Sequence, residues 1–194
     1  DTDDTDAPRG IFVTTPGIAY DTRDSFVRPT KGVYTSLAVD VSRGLQNSLD
    51  NFLKYTFLLR GYWSPASRLT LAGTGRVGYI DPFGTESTVP EDQLLYLGGT
   101  YSVRGFDENM LRYDADDNAV GGLLALSGSL EARLEITRTW EATLFYDAGA
   151  LRKPLTEAGS DAVRSSVGIG LRYVTPIGPM GLLYGRKINP REGE

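Results

Sequence analysis

The chain contains no cysteine and no histidine among its 194 residues. Without imidazole or thiolate groups it cannot build a Ser-His-Asp triad, a cysteine nucleophile or the usual zinc sites. No apolar run approaches the roughly 18 residues of a membrane-spanning helix, and we expect no signal peptide in residues 1–9. We therefore expect no catalytic residue, no metal site and no cofactor, in a chain that is either soluble or crosses a membrane as strands.

The net charge of −5 and the isoelectric point near 4.9 argue against nucleic acid as a partner. Acidic residues are concentrated in two runs, at 1–6 and at 114–118. Neither run completes a calcium-binding loop, so we expect both to be solvated loop ends. Residues 1–9 are accordingly predicted to be an acidic leader or loop end.

The periodicity of the apolar residues favours strands that cross a membrane. Between residues 123 and 136 apolar and polar side chains alternate with a period of two, which predicts a strand with one apolar and one polar face. The same alternation recurs in four other segments, and we expect no apolar side chain among the inward-facing residues. In 123–136 the apolar face is Leu124, Leu126, Leu130, Ala132, Leu134 and Ile136, and the polar face is Ser127, Ser129, Glu131, Arg133 and Glu135.

The predicted strands are roughly ten to fourteen residues long in most cases, where about nine to eleven suffice to cross a bilayer. Tight turns alternate with long connections, which is typical of an outer-membrane barrel. The alternative, a soluble lipocalin-like barrel or sandwich, would need an apolar interior, whereas the face opposite the apolar one is charged here. The eight predicted strands are 11–21, 32–43, 52–63, 68–80, 120–136, 139–149, 163–174 and 180–185.

The segment 96–107, YLGGTYSVRGFD, is too rich in glycine for a helix and too apolar at Val103 and Phe106 for a free surface loop. We expect it to fold back onto the rest of the chain. Other motifs flank it in order: YDTRD at 20–24 with PTKG at 29–32, SLE at 129–131, FYDAG at 145–149, and GIGLRY at 168–173 with TPIGP at 175–179.

Together these motifs resemble the superfamily of the bacterial outer-membrane assembly factors of the BamA and TamA type, which also contains the two-partner-secretion transporters. The resemblance implies an all-β, antiparallel transmembrane β-barrel of sixteen strands. About eight of these strands are expected here, at 10–187, with a long inward-folding loop at 81–119. Residues 188–194 are expected to be a loop stub before a last strand that the chain lacks, and periplasmic domains are expected to precede the barrel.

The resemblance also implies that the loop folds into the barrel lumen and is held there by acidic residues of the inner wall. The residues expected in this lumenal latch are Val103, Arg104, Gly105, Phe106, Glu131 and Asp147, with Gly98 and Gly99 as the hinge of the loop. The alternation, which is independent of the resemblance, places Glu131 and Asp147 on the inward face. Arg133, Arg164 and Arg172 are expected to be solvated lumenal charges that contribute little individually.

The function implied is non-enzymatic: a barrel that helps other β-barrel proteins to fold and insert. Its expected partners are outer-membrane lipid, unfolded outer-membrane proteins and accessory lipoproteins or periplasmic domains. Three alternatives remain: a two-partner secretion transporter, the barrel anchor of a patatin-like lipase, and a soluble β-sheet binding domain.

Overall fold

The computed structural model describes residues 10–45, 50–84, 87–114, 116–152, 163–176 and 178–190. The leader predicted at 1–9 and residues 191–194 of the predicted stub lie outside these ranges. The described residues form nine strands and one short 3₁₀ turn at Glu91–Gln93, and no helix among them is long and apolar enough to span a membrane. The strands are β1 (Gly10–Thr14), β2 (Gly17–Asp21), β3 (Gly32–Leu45), β4 (Phe52–Ala66), β5 (Leu69–Pro82), β6 (Leu124–Glu135), β7 (Trp140–Arg152), β8 (Arg164–Thr175) and β9 (Gly178–Lys187).

All nine strands belong to one antiparallel sheet, which confirms the predicted fold class. From β3 to β9 each strand pairs with the next along the chain, and both β1 and β2 pair with β3. Among the described residues the sheet does not close on itself, so β9 lies at one edge and β1 with β2 at the other.

The two ends of the sheet differ in their connections. At one end, called the short-turn end here, β4 joins β5 through residues 67–68, β6 joins β7 through 136–139, and β8 joins β9 through 176–177. At the other end, the long-loop end, β5 joins β6 through residues 83–123 and β7 joins β8 through 153–163. One connection at the short-turn end is longer than its neighbours, at residues 22–31 between β2 and β3.

The strand predicted at 11–21 is two strands, and this correction has a simple cause. Pro16 carries no N–H to donate to β3, so the ladder is interrupted between β1 and β2. The Pro16 carbonyl still accepts a hydrogen bond from Val39 N at 3.0 Å. Thr14 pairs with Val41 and Gly17 with Ala38, so the register is unchanged across the interruption.

Most of the other predicted boundaries differ from the observed ones by one to four residues, and two of these differences change where a residue lies. The strand predicted from residue 120 begins at Leu124, because Val120 and Gly122 bond to the loop instead: Val120 N donates to Arg112 O and Gly122 N to Leu95 O. The strand predicted from Arg68 begins one residue later, at Leu69, and Arg68 lies exposed in the tight turn rather than on the inward face.

The two faces of the sheet carry opposite chemistry, as the alternation predicts. On the outward face the apolar side chains are exposed, including Leu130 at 65% and Leu144 at 55%. On the inward face polar and charged residues are buried, including Asp147 and Ser166 at 0%. The expectation that no apolar side chain faces inward is wrong at several positions, among them Phe52, Ile80 and Phe145, each 1% exposed. Phe145 lies between two inward polar residues of β7.

Candidate functional site

The loop between β5 and β6, residues 83–123 with 85–86 and 115 not described, packs onto the inward face of the sheet. Its own apolar residues provide most of the buried core, joined by two residues of β6 and β7. Val103 is fully buried, and a side chain at Gly149 of β7 would collide with it. The cluster consists of Leu97, Val103, Phe106, Leu111, Ala125 and Leu151, with Leu95 packed against it.

Two glycines give the loop its turn. Gly98 and Gly99 have φ angles of +119° and +88°, which side-chain-bearing residues rarely adopt. The Ser102 hydroxyl accepts from Gly98 N and donates to Gly98 O, each at 2.8 Å. Gly99 N donates to Phe106 O at 3.0 Å, which closes residues 99–106 into a compact tip. A hinge function for Gly98 and Gly99 stays a prediction.

Arg104 projects from this tip onto the inner wall. Its Nε and Nη2 donate to the two carboxylate oxygens of Asp147, both at 2.7 Å, and its backbone N–H donates to the same carboxylate at 3.0 Å. Its Nη1 donates to Glu131 Oε1 at 2.6 Å. The Arg104 side chain is 11% exposed and that of Asp147 0%. This bidentate geometry is the strong form of an arginine–carboxylate pair.

Three contacts of Arg104 lie outside the residues predicted for the latch. Ser129 Oγ accepts from Nη2 at 2.8 Å, and Ser166 Oγ donates to the Arg104 carbonyl oxygen. The guanidinium carbon lies 3.7 Å from the centre of the Phe145 ring, a cation–π contact. Both serines fall on the inward face in the alternation, so their position was predictable although their partner was not. Phe145 lacks such a signal, since it interrupts the polar series of β7.

Gly105 and Phe106 extend the contact to the edge strand. Gly105 has a φ of +90°, and a Cβ there would lie 3.1 Å from Gly185 C on β9. Phe106 lies under two cations, with Arg164 of β8 at 4.6 Å and Lys187 of β9 at 5.1 Å from its ring centre. The segment 103–106 therefore contacts β6, β7, β8 and β9, and it includes all four loop residues predicted for the latch.

The three arginines expected to be solvated are packed instead. Arg164 is 5% exposed and donates to Leu111 O at 2.9 Å. Arg133 pairs with Glu131 at 2.7 Å, and Arg172 pairs with Glu141 at 3.2 Å. The alternation of a strand does not predict this burial, because it contains no information about the segments that fold onto the inner wall. The loop and the neighbouring side chains exclude solvent from these three arginines.

The chemistry of the site is that of a buried ionic contact. Each carboxylate that faces Arg104 is nearly inaccessible, with Glu131 at 13% side-chain exposure. A buried carboxylate of this kind requires a cationic partner, because an unpaired charge in a low-dielectric environment lowers the stability of the fold. Among the described residues no group of acidic side chains is arranged to hold a metal ion. The arrangement can hold a loop in place.

Comparison with known proteins gives a family and a fold. The model of the Omp85 superfamily domain matches residues 3–194. The outer membrane protein assembly factor BamA of Nitratidesulfovibrio vulgaris is 27% identical over 180 residues, covering 90% of this chain and 23% of that protein. BamA of Neisseria meningitidis serogroup B is 24% identical over 209 residues, covering 90% and 26%.

A SAM50-like protein of Schizosaccharomyces pombe is 26% identical over 171 residues, covering 80% of this chain and 36% of that protein. The crystal structure of BamA from Haemophilus ducreyi lacking POTRA domains 1–3 superposes with a TM-score of 0.78 at 24% identity, over 94% of this chain and 40% of that one. At that identity the superposition shows the fold alone. The chain spans between 23% and 36% of the length of these curated relatives.

Proposed function

The chain belongs to the Omp85 superfamily, and from that premise we propose that residues 10–187 are part of an outer-membrane barrel that helps other β-barrel proteins to fold and insert. The observation that carries the proposal is the division between the two faces of the sheet. Apolar side chains are exposed on one face, while a loop is fixed by buried ion pairs on the other. A protein of this kind has lipid outside and a polar lumen inside.

The names of the relatives support both the outer-membrane location and the assembly activity that we propose for this chain. Two of them are named as outer membrane protein assembly factors. We place this chain in the outer membrane of a bacterium, with its outward face in contact with lipid. Unfolded outer-membrane proteins are the proposed clients, and accessory lipoproteins or periplasmic domains the proposed helpers. We assign no catalytic step to these residues.

We propose that a client is engaged at the seam of the complete barrel. An edge strand presents unpaired N–H and C=O groups, which can add a strand from another chain. In the complete barrel of about sixteen strands that we propose, templating of this kind would take place at the seam between the first and last strands. The loop 103–106 touches β9 and reaches back to β6, so it would brace this part of the wall during templating.

The relatives favour assembly over the other two family functions, secretion of a polypeptide through the lumen and anchorage of a lipase. The experiment that separates the three is depletion of the full-length protein in its own bacterium. Assembly predicts that several unrelated barrel proteins lose their folded, heat-modifiable form in the outer membrane. Normal levels of folded barrels, with the loss of one secreted polypeptide or one lipase activity, would contradict it.

A further inference from the structure

The connection at residues 22–31, called the strap here, is an ordered segment with its own fastening. Asp24 closes it: its carboxylate accepts from Thr30 N at 2.9 Å, from Lys31 N at 3.1 Å and from the Thr30 hydroxyl at 2.5 Å. Gly32 follows with a φ of +101°, where a Cβ would collide with the Thr22 carbonyl oxygen. The strap is therefore a compact turn with a defined shape.

The strap lies against the inward face of the sheet. Pro29 is buried, and Ser64 of β4 donates its hydroxyl to Thr30 O at 2.9 Å. Arg28 reaches further, to two strands that are distant in sequence. It donates from Nη2 to Glu135 of β6 at 2.9 Å and from Nε to Glu141 of β7 at 2.5 Å. The strap thus crosses from β4 to β7 at the short-turn end.

Glu141 connects the strap to the loop at the opposite end. Its side chain is 8% exposed and pairs with Arg28 and with Arg172 of β8. Arg172 Nη1 lies 4.0 Å from Glu131 Oε2. The other carboxylate oxygen of Glu131, Oε1, pairs with Arg104. Along the inner wall the charges therefore alternate in sign from one inward-folded segment to the other. The order is Arg28, Glu141, Arg172, Glu131, Arg104 and Asp147.

Because neighbouring charges in this series share partners, a change at Arg28 in the strap affects the contacts of Arg104 in the loop. The Glu141 carboxylate is shared between two arginines, so loss of Arg28 leaves it to Arg172 alone. Arg172 is then drawn towards Glu141 and away from Glu131, so Glu131 is left more fully to Arg104 and a like charge moves away from the Arg104 guanidinium. Interactions in a low-dielectric surrounding are screened little, so the effect passes along the series.

We propose that the strap is a second inward-folded anchor, fastened by the positioning residue Arg28, and that it is energetically coupled through Arg172 to the loop that carries Arg104. The proposal rests on the geometry of the inner wall and does not depend on the assembly function. Its test uses purified full-length protein in detergent, where client insertion plays no part.

Trypsin provides the readout, since it cuts after Arg104 only when the loop leaves the wall, whereas the bond after Arg28 is protected by Pro29. For fast local opening, the cleavage rate follows the population of the open form. Arg28→Gln should lower the cleavage rate at the 104–105 bond at least roughly fivefold, the lower end of typical coupling between sites. Lys31→Gln is the matched control, because it removes a like charge from the exposed part of the strap; it should leave that rate unchanged.

Arg28→Lys keeps the charge but loses the planar fork that spans two carboxylates, and it should give an intermediate rate. If Arg28→Gln does not fold, the decision falls on Arg28→Lys: a lowered rate supports the coupling, and a rate equal to or above that of the wild type overturns it. For a folded Arg28→Gln protein, a rate equal to or above that of Lys31→Gln overturns the proposal.

Discussion

At the residue scale, the Arg104 site shows what a sequence can and cannot predict. Alternation places Asp147 and Glu131 on the inward face, and the resemblance of the VRGF segment to a known family supplies Arg104 as the partner. Arg28 has no comparable signal, because its partners lie 107 and 113 residues away along the chain. Only the folded sheet brings β6 and β7 under the strap.

The pair of Arg104 and Asp147 should behave as a unit in a double-mutant cycle. Either Arg104→Ala or Asp147→Asn removes one partner of a buried pair, and Arg104→Ala should cost about 3–5 kcal/mol because Asp147 is left buried and unpaired. The double variant should lose clearly less than the sum of the two single losses. The measurement is urea unfolding of the full-length protein in lipid vesicles.

Arg138 provides the control for this cycle, since it is exposed in the tight turn between β6 and β7. Arg138→Ala should change the free energy of unfolding by no more than about 0.5 kcal/mol. Its loss should add to that of Asp147→Asn. Additive losses for Arg104 with Asp147 as well would reduce Arg104 to an ordinary loop residue.

The strap should show a pH dependence through Asp24. Hydrogen bonds, first from the Thr30 side chain and then from its backbone, hold the pKa of Asp24 at about 2, below the ordinary 3.8. A lowered folded-state pKa stabilises the folded form above the unfolded pKa, and the stabilisation is lost as the pH falls from about 4 towards 2. Asp24→Asn should therefore melt at a lower temperature than the wild type at pH 7.

The difference between the two melting temperatures should shrink as the pH is lowered from 4 to 2, measured by circular dichroism in detergent. Other titrating groups are common to both proteins and cancel in the comparison. A difference that is constant from pH 7 to pH 2 would mean that the Asp24 carboxylate does not fasten the strap.

At the scale of the element, the strands were predictable because each carries its own period of two. The exceptions have local causes. Pro16 splits the first strand without changing its register, and Val120 and Gly122 bond to the loop instead of extending β6. Where a residue's partner lies in a folded-back segment, as for Phe145 under Arg104, the pattern of one strand contains no information about it.

Strand β4 offers a test of the two faces within one element. Leu59 lies near its middle, points outward and is 44% exposed, whereas Thr56 lies on the same inward face as Arg60. Leu59→Arg should cost about 2–4 kcal/mol if this face meets lipid near the midplane. Thr56→Arg should be tolerated, since its side chain has exposed space on the inward face. The comparison is the free energy of unfolding from vesicles.

Equal losses for the two variants would contradict the assignment of lipid to the outward face. A soluble sandwich would give a different result again, because arginine on an exposed face in water costs little. Leu59→Arg would then be the harmless variant.

At the scale of the whole molecule, the inner wall is too crowded for a narrow barrel. Eight strands enclose an interior that side chains alone fill, whereas here the loop 83–123 and the strap both fold onto the same face, together with six charged residues in series. This crowding supports the proposal that the nine strands are part of a wider barrel. The open edges at β1, β2 and β9 are then the places where the rest of that barrel continues the sheet.

The most direct test of the proposed function is client insertion measured in a defined system. The full-length protein, with any lipoproteins that co-purify with it, is placed in liposomes, and a urea-unfolded barrel protein of the same bacterium is added. Folded client is followed by its heat-modifiable gel mobility. We expect faster folding than in empty liposomes, a marked loss of that acceleration in Arg104→Ala, and no loss in Arg138→Ala. Folding in the presence of the wild-type protein at the rate of empty liposomes would contradict the assembly function.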